Sequence, residues 1–357
     1  MKKQKVAVAM SGGIDSSITT LLLQEQGYEV VGITLQLWDS GEIQTGCCSS
    51  KSVDDARAFA QKLGVPHYVV DVKDAFKARV VRNFVDEYMN ARTPNPCVVC
   101  NPNVKWKYIL QKAEELGCEK IATGHYAQIS SNDGKYFVTR GVDTTKDQSY
   151  VMWHLSQEQL SKTLFPLGKY KKNEIKELAE KHGFIDLVQK SESQEICFIP
   201  DDDYRGFLRS YVPNVDSIIK KGDFLSMDGK KIGEHQGFPF YTIGQRKGLG
   251  IALGIPAYVQ SVDKESNTIK IGFRDDLLTR ELYVSNVYFS KYDSFDPVEK
   301  LCVKIRYNTQ PAPCMVERQE NGWYKVSFEN PVWAVTPGQS AVFYEDNDLV
   351  AGGIIEK

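Results

Sequence analysis

Apolar residues first form a solid run, residues 5–10 (KVAVAM), and then shift to helical spacing over residues 15–27 (DSSITTLLLQEQG). In that second segment Ile18, Leu21 and Leu22 share one face and Gly27 ends it. The alternation repeats. Residues 28–38 (YEVVGITLQLW) read as a second strand, 52–64 (SVDDARAFAQKLG) as a helix opened by Ser52, and 66–72 (PHYVVDV) as a third strand. A helix near 78–91, a loop rich in Pro, Asn and Cys, a helix over 104–117 and a strand in 120–125 (KIATGH) follow. Short apolar strands separated by helices predict an α/β unit: a mostly parallel sheet with helices on both faces, whose ligands sit beyond the carboxyl ends of the strands.

The pattern changes along the chain. Residues 127–141 (AQISSNDGKYFVTRG) alternate around Asp133-Gly134, the signature of a hairpin, and 171–183 form one more amphipathic helix. From about residue 222 short β-rich segments are punctuated by MDGKK, DKESNT, QENGWY and EDNDL, and long helical periodicity disappears. A small central, mostly β domain and a C-terminal β-barrel are expected, with divisions at 1–203, 204–273 and 274–357.

Composition narrows the class without choosing a reaction. The chain has 357 residues, 25% charged and 42% hydrophobic, with a formal net charge of -2. A nucleic-acid partner would therefore need a local basic surface. No run of about 18 apolar residues occurs, so no membrane partner is expected and the protein reads as cytoplasmic. Eight cysteines outside a secretory context point to thiols, metal ligands or redox groups.

Two features carry chemistry. The first is the turn between the opening strand and helix, Ala9-Met10-Ser11-Gly12-Gly13-Ile14-Asp15-Ser16. Its glycine pair allows a tight turn with outward amides, and the helix start adds positive potential, which together suit a phosphate. Helix capping by Ser11 and Asp15 is the plainer alternative. The second feature is a pair of cysteine loops, ARTPNPCVVCNPNVKW with Cys97 and Cys100, and KSESQEICFIP with Cys197. Proximity to a helix start would favour a thiolate at Cys100. Half of a zinc or iron–sulfur site completed by Cys47-Cys48 is the competing reading, although no second C-x-x-C occurs.

SGGIDSS resembles the pyrophosphate loop of the ATP pyrophosphatases, whose adenine nucleotide alpha-hydrolase-like domain adenylates a substrate oxygen. With RTPNPCVVCN, ATGHYA, KDQSYV, SQEICFIP and YTIGQRKGLGI in the same order, the whole chain resembles the tRNA-specific 2-thiouridylases. The resemblance implies that ATP, with magnesium inferred from its chemistry, adenylates the C2 oxygen of the wobble uridine, and that sulfur from a cysteine persulfide then replaces that oxygen. It assigns the nucleophile to Cys100, the persulfide to Cys197 and a final Cys100–Cys197 disulfide. Residues 9–16, Leu35 and Gly124 take the ATP role. Asn95, Pro96 and Cys97 with His125 face the target base, while Lys146, Asp147, Gln148, Arg306, Tyr307 and Gln339 contact the anticodon arm. A cysteine desulfurase or a sulfur-relay protein is the implied donor.

Cys97 departs from the pattern, because some relatives have an Asp acid/base there. Here it is either a proton carrier or a thiol that exchanges with Cys100. Two other functions compete. An amidating ligase would need an ammonia source and no paired cysteines, and a non-catalytic RNA-binding module would leave Cys100 and Cys197 unexplained.

Overall fold

The computed structural model describes residues 3–38, 50–190, 196–199, 203–251 and 254–357. The opening alternation builds a sheet in the order β3-β2-β1-β4-β7. Its strands are β1 (Lys5–Ala9), β2 (Glu29–Gln36), β3 (His67–Asp71), β4 (Lys120–Ala122) and β7 (Thr163–Leu164), all pairing parallel. Successive residues of β1 point to opposite faces, and both faces are apolar because both are covered. Val6 and Val8 pack on α1 (Ile14–Glu25), on α2 (Ser50–Lys62) and on a helix over Lys172–Lys181. Ala7, with Val31 and Ile33 of β2, faces Trp106 and Ile109 on the other side. Strand order reverses at β1, with β2 and β3 to one side and β4 and β7 to the other. The turn after β1 therefore lies where an open α/β sheet leaves its ligand crevice.

The helix expected from residue 104 begins earlier. Pro96–Cys100 is already helical, a π-helical stretch Asn101–Trp106 follows, and Lys107–Glu115 completes the segment. Proline at the first helical position is pre-set for that conformation. Pro102 cannot donate to an α-helical ladder, and the wider π turn absorbs it while the Asn103 side chain bonds the Val99 carbonyl at 2.9 Å.

The expected hairpin forms from β5 (Ala127–Asn132) and β6 (Lys135–Arg140), turning through Asp133 and Gly134 at φ 49° and 78°. The central domain is a four-stranded sheet, β10-β11-β8-β9, made of β8 (Gly222–Leu225), β9 (Lys231–His235), β10 (Tyr258–Asp263) and β11 (Thr268–Gly272). Six strands follow: β12 (Leu278–Phe289), β13 (Leu301–Lys304), β14 (Ala312–Arg318), β15 (Tyr324–Trp333), β16 (Ser340–Glu345) and β17 (Asp348–Ile355). They run β12-β15-β14-β13-β16-β17, and a β12–β17 pairing closes them into a barrel. Among the described residues no helix is long and apolar enough to cross a membrane.

The domains share their cores. Barrel residues Val342, Tyr344 and Leu349 belong to the same apolar cluster as Trp106 and Ile121 of the α/β domain. The β5–β6 hairpin also extends the barrel sheet, through Thr139 paired with Asp348. Trp153, 2% exposed, fixes this seam: its Nε1 donates to Ser340 Oγ at 3.0 Å, and its ring fills the space over Gly352, where a Cβ would lie 2.3 Å from it. Trp153→Ala is expected to cost about 3–5 kcal/mol, read by urea denaturation, with fluorescence from both domains shifting in one transition.

Candidate active site and nucleic-acid interface

The turn after β1 is held open by its own backbone and by its neighbours. Met10 N–H donates to the Ile33 carbonyl at 2.8 Å, Ser11 N–H donates to Ser16 Oγ at 3.1 Å, and Ser16 Oγ donates to the Gly13 carbonyl at 3.1 Å. Gly12 has φ +71°, and a Cβ there would meet the Ser52 carbonyl oxygen at 2.6 Å. Neither Ser11 nor Asp15 caps α1, since the N-cap residue is Gly13 without a side-chain bond. Ala9 ends β1 and Ile14 opens α1. With the helix N-terminus behind it, the turn is built as an anion cradle.

Asp15 faces away from this cradle's role as a simple cap. Its Oδ1 accepts from the Tyr126 hydroxyl at 2.7 Å, and Lys172 Nζ donates to both oxygens at 2.7 and 2.9 Å. Lys172, 5% exposed, brings a buried cation to the start of α1. A second lysine reaches the cradle from outside: Lys190 Nζ donates to the Gly12 carbonyl at 3.0 Å and to Asp55 at 2.5 Å. Neither lysine stands out in the sequence, because residues 157 and 178 positions away from their partners leave no local pattern.

Gly124 follows β4 and lies against the same helix start. A Cβ on it would meet the Asp15 carbonyl carbon at 2.8 Å and Ser16 N at 2.9 Å, both backbone atoms. Leu35 pairs with Val70 in the sheet, one strand from β1, and packs against the Trp106 cluster and the cluster that holds Cys100. His125 next to Gly124 contacts Thr123 Oγ1 through Nδ1 at 2.7 Å and packs its ring near Trp106 and Phe165. Burial, with a smaller contribution from the Lys105 charge, holds its pKa down to about 3, so the imidazole is neutral near pH 7.

Both cysteine loops border one apolar cluster. Cys100 is 4% exposed within a cluster that includes Phe84, Val104 and Phe198, and Cys197 packs against that cluster. The expectation that Cys100 stands at a helix start needs correction. Asn95 is the N-cap and Pro96 the first helical residue, so the exposed Cys97 occupies the first turn and Cys100 lies one turn deeper. The N-terminal field falls off within that first turn. Among the described residues no group of three or more His, Cys, Asp or Glu is placed to hold a metal; Cys47 and Cys48 lie outside the described residues.

The barrel grips the first cysteine loop. Thr93 N–H donates to the Pro337 carbonyl at 2.9 Å, and Gln339 Nε2 donates to the carbonyls of Thr93 and Pro94 at 3.1 and 3.0 Å. Asn95 approaches the Tyr150 hydroxyl, which donates to the Ser340 carbonyl at 2.8 Å. Tyr307, 38% exposed, lies edge-on to Tyr150, and burial together with the Asp147 and Cys97 charges pushes its hydroxyl up to about 12. Residues 95–97, 307 and 339 thus meet at one seam.

Three expected RNA contacts are engaged within the protein. Asp147 is 4% exposed, and its carboxylate accepts from Gly141 N–H at 3.1 Å, Ser149 N–H at 3.2 Å, Ser149 Oγ at 2.9 Å and Arg140 Nε at 3.3 Å. Gln148 is also engaged, its Oε1 accepting from Tyr126 N–H at 3.0 Å. The Lys146 backbone N–H donates to the Asp143 carbonyl at 3.1 Å. Arg306 donates to the Ile243 and Ala334 carbonyls, each at 2.9 Å, and to Thr336 Oγ1, so its guanidinium ties the central domain to the barrel.

Two predictions follow from this geometry. Gly124→Ala is expected to push the start of α1 away and weaken ATP binding tenfold or more, measured by calorimetry. Because His125 takes up no proton until about pH 3 when folded while an unfolded histidine does so near 6.5, stability is expected to fall as pH drops from 6.5 toward 3. His125→Gln should flatten part of that slope in urea unfolding at a series of pH values.

The sequence matches three family models. The tRNA methyl transferase HUP domain covers residues 4–201, the tRNA methyl transferase PRC-barrel domain 205–273, and the Aminomethyltransferase beta-barrel domain 279–355. Similar full-length proteins carry another name. The tRNA-specific 2-thiouridylase MnmA of Amoebophilus asiaticus is 51% identical over 362 residues, covering 100% of this chain and 96% of that protein. Those of Cytophaga hutchinsonii and Carboxydothermus hydrogenoformans are 46% and 47% identical, each covering 99% of this chain and 98% of theirs. With identity near one half over the full length of these relatives, the chain belongs to the tRNA-specific 2-thiouridylase family.

Proposed function

We propose that the protein is a tRNA-uridine 2-sulfurtransferase that uses ATP to exchange the C2 oxygen of the wobble uridine for sulfur. The observation that supports this reading is that Cys100 lies in the apolar cluster against which Cys197 packs, in a chain that also carries the phosphate turn after β1. An adenylating enzyme needs only the turn; two thiols from distant loops bordering one cluster suit sulfur transfer.

In this reading the triphosphate lies on residues 9–16, with Gly124 and the Leu35 backbone beside the nucleotide. Lys172, on Asp15, compensates the phosphate charge. The uridine C2 oxygen attacks the α-phosphorus and pyrophosphate leaves, which makes O2 part of a good leaving group. The terminal sulfur of a persulfide on Cys197 then adds to C2 and AMP departs. Cys100 attacks the Cys197 sulfur, the sulfur–sulfur bond to the base breaks, and the new thiocarbonyl remains on the uracil. The two thiols are left as a disulfide, and an external thiol must return two electrons before the next cycle.

His125 is neutral at working pH and serves as a hydrogen-bond partner for the base rather than a charge. Asp15 and Asp55 are the carboxylates beside the turn, and each is paired with a lysine. These carboxylates would lie beside a magnesium ion accompanying ATP, and the ion's charge would offset that of the phosphates. The sulfur donor is a cysteine desulfurase or a relay protein carrying a persulfide, and the reaction is cytoplasmic.

Protein, ATP, magnesium, tRNA and a persulfide donor should give 2-thiouridine by nucleoside mass spectrometry. Cys100→Ala and Cys197→Ala should each lower its formation by at least about a hundredfold. Wild-type rates in both variants would overturn the mechanism, and an added methyl group in place of an oxygen-to-sulfur exchange would favour the methyl-transfer chemistry named in the family models.

A further inference from the structure

Lys304, the last residue of β13, is 6% exposed. Its Nζ lies 5.8 Å from the Tyr150 ring centroid and 5.5 Å from that of Tyr307. Among the described residues it has no carboxylate at ion-pair distance and no hydrogen-bonded partner. The one carboxylate whose charge reaches it is Asp147, which is already bonded to Arg140, to two backbone N–H groups and to Ser149. Aromatic faces soften the cost of a buried ammonium but do not remove it. Burial accordingly draws the Lys304 pKa below the ordinary lysine range.

The surrounding charge is unbalanced in the same sense. Arg140, Lys304 and Arg306 are three cations around this seam, and Asp147 is the one carboxylate felt there. Arg140 and Arg306 are both committed to protein acceptors, Arg140 to Asp147 and Arg306 to two carbonyls and Thr336. That leaves Lys304 as the cation whose anion is missing. Tyr307 beside it is part-exposed and lies close enough to Cys97 to feel its charge. An anion that approaches here with an attached planar group would meet an ammonium and an aromatic face within one nucleotide's length, beside the loop that carries Cys97 and Cys100.

Resting on the reading of this seam as the place where the target uridine enters, we propose that Lys304 is the phosphate anchor of the RNA interface. It holds the backbone phosphate beside the target nucleotide while Tyr307 stacks on a neighbouring base. Arg306, two residues on, is then a strut between domains that positions β13 and is not itself the phosphate ligand.

The test uses the full chain and a tRNA bearing the wobble uridine, with binding followed by anisotropy over a salt series. Lys304→Met should weaken binding about 5- to 50-fold and lower the slope of log affinity against log salt by about one, and Lys304→Arg should recover most of the loss. Unchanged affinity and slope in Lys304→Met would overturn the proposal and leave Lys304 a packing residue. Single methylphosphonate linkages around the wobble position provide a second reading that needs no variant beyond Lys304→Arg. One linkage should weaken the wild-type complex well beyond its neighbours, and equal weakening at every linkage would equally overturn the assignment. Sulfur incorporation by the wild-type protein, measured on the same tRNA, separates the two levels: its absence overturns the proposed reaction, whereas a flat phosphate scan with normal thiolation overturns only the role of Lys304.

Discussion

The grip of the barrel on residues 93–94 is the constraint on which the site depends. A β-barrel residue, Gln339, bonds two successive carbonyls of a loop in the α/β domain, and the Pro337 carbonyl takes the Thr93 N–H. Gly338 lets the two backbones meet, since a Cβ there would lie 2.8 Å from the Thr93 carbonyl oxygen. Arg92 fastens the preceding residue to Glu87 and to Glu356 near the chain end, at 2.7 and 2.5 Å. These contacts fix where Asn95 caps its helix, and so where Cys97 and Cys100 point. A soft loop could not hold a thiol to the near-ångström tolerance that in-line attack on a persulfide sulfur demands.

The same seam explains why three units fold as one working body. The α/β sheet supplies an anion cradle at its strand reversal, a feature common to many nucleotide-binding folds. The barrel supplies aromatic and cationic groups next to the thiols. The central domain is tied to the barrel through Arg306, which bonds the Ile243 carbonyl on one side and the Ala334 carbonyl on the other. The second cysteine joins from a segment whose neighbour Phe198 sits among Phe76, Phe84 and Phe207, an aromatic packing that places Cys197 against the Cys100 cluster.

Much of this was legible in the sequence, and the division between what was and was not follows the range of the interactions. Strands β1 to β4, helix α1 and the hairpin at Asp133-Gly134 are set by apolar period and turn chemistry within a dozen residues. The Ser11–Gly13 turn and the cysteine loops carried their chemistry in residue type. The early helix start at Pro96 was readable only with the π turn around Pro102 in view. Lys172 on Asp15, Lys190 on Gly12 and the binding of Arg306 by carbonyls all join positions far apart in sequence. No local pattern encodes them. The same holds for Lys304: its neighbours Arg306 and Tyr307 look like the RNA contacts, and only packing reveals which cation is already bonded within the protein.

The central claim is that Cys100 and Cys197 act on one sulfur in one turnover. Persulfide-loaded protein, given ATP, magnesium and tRNA, should be stopped with an alkylating reagent at successive times and its peptides mapped. The account predicts a Cys100–Cys197 linked peptide that accumulates in step with 2-thiouridine while Cys97 stays open to alkylation. Full thiolation with both Cys100 and Cys197 still alkylated, in the absence of added reductant, would contradict it.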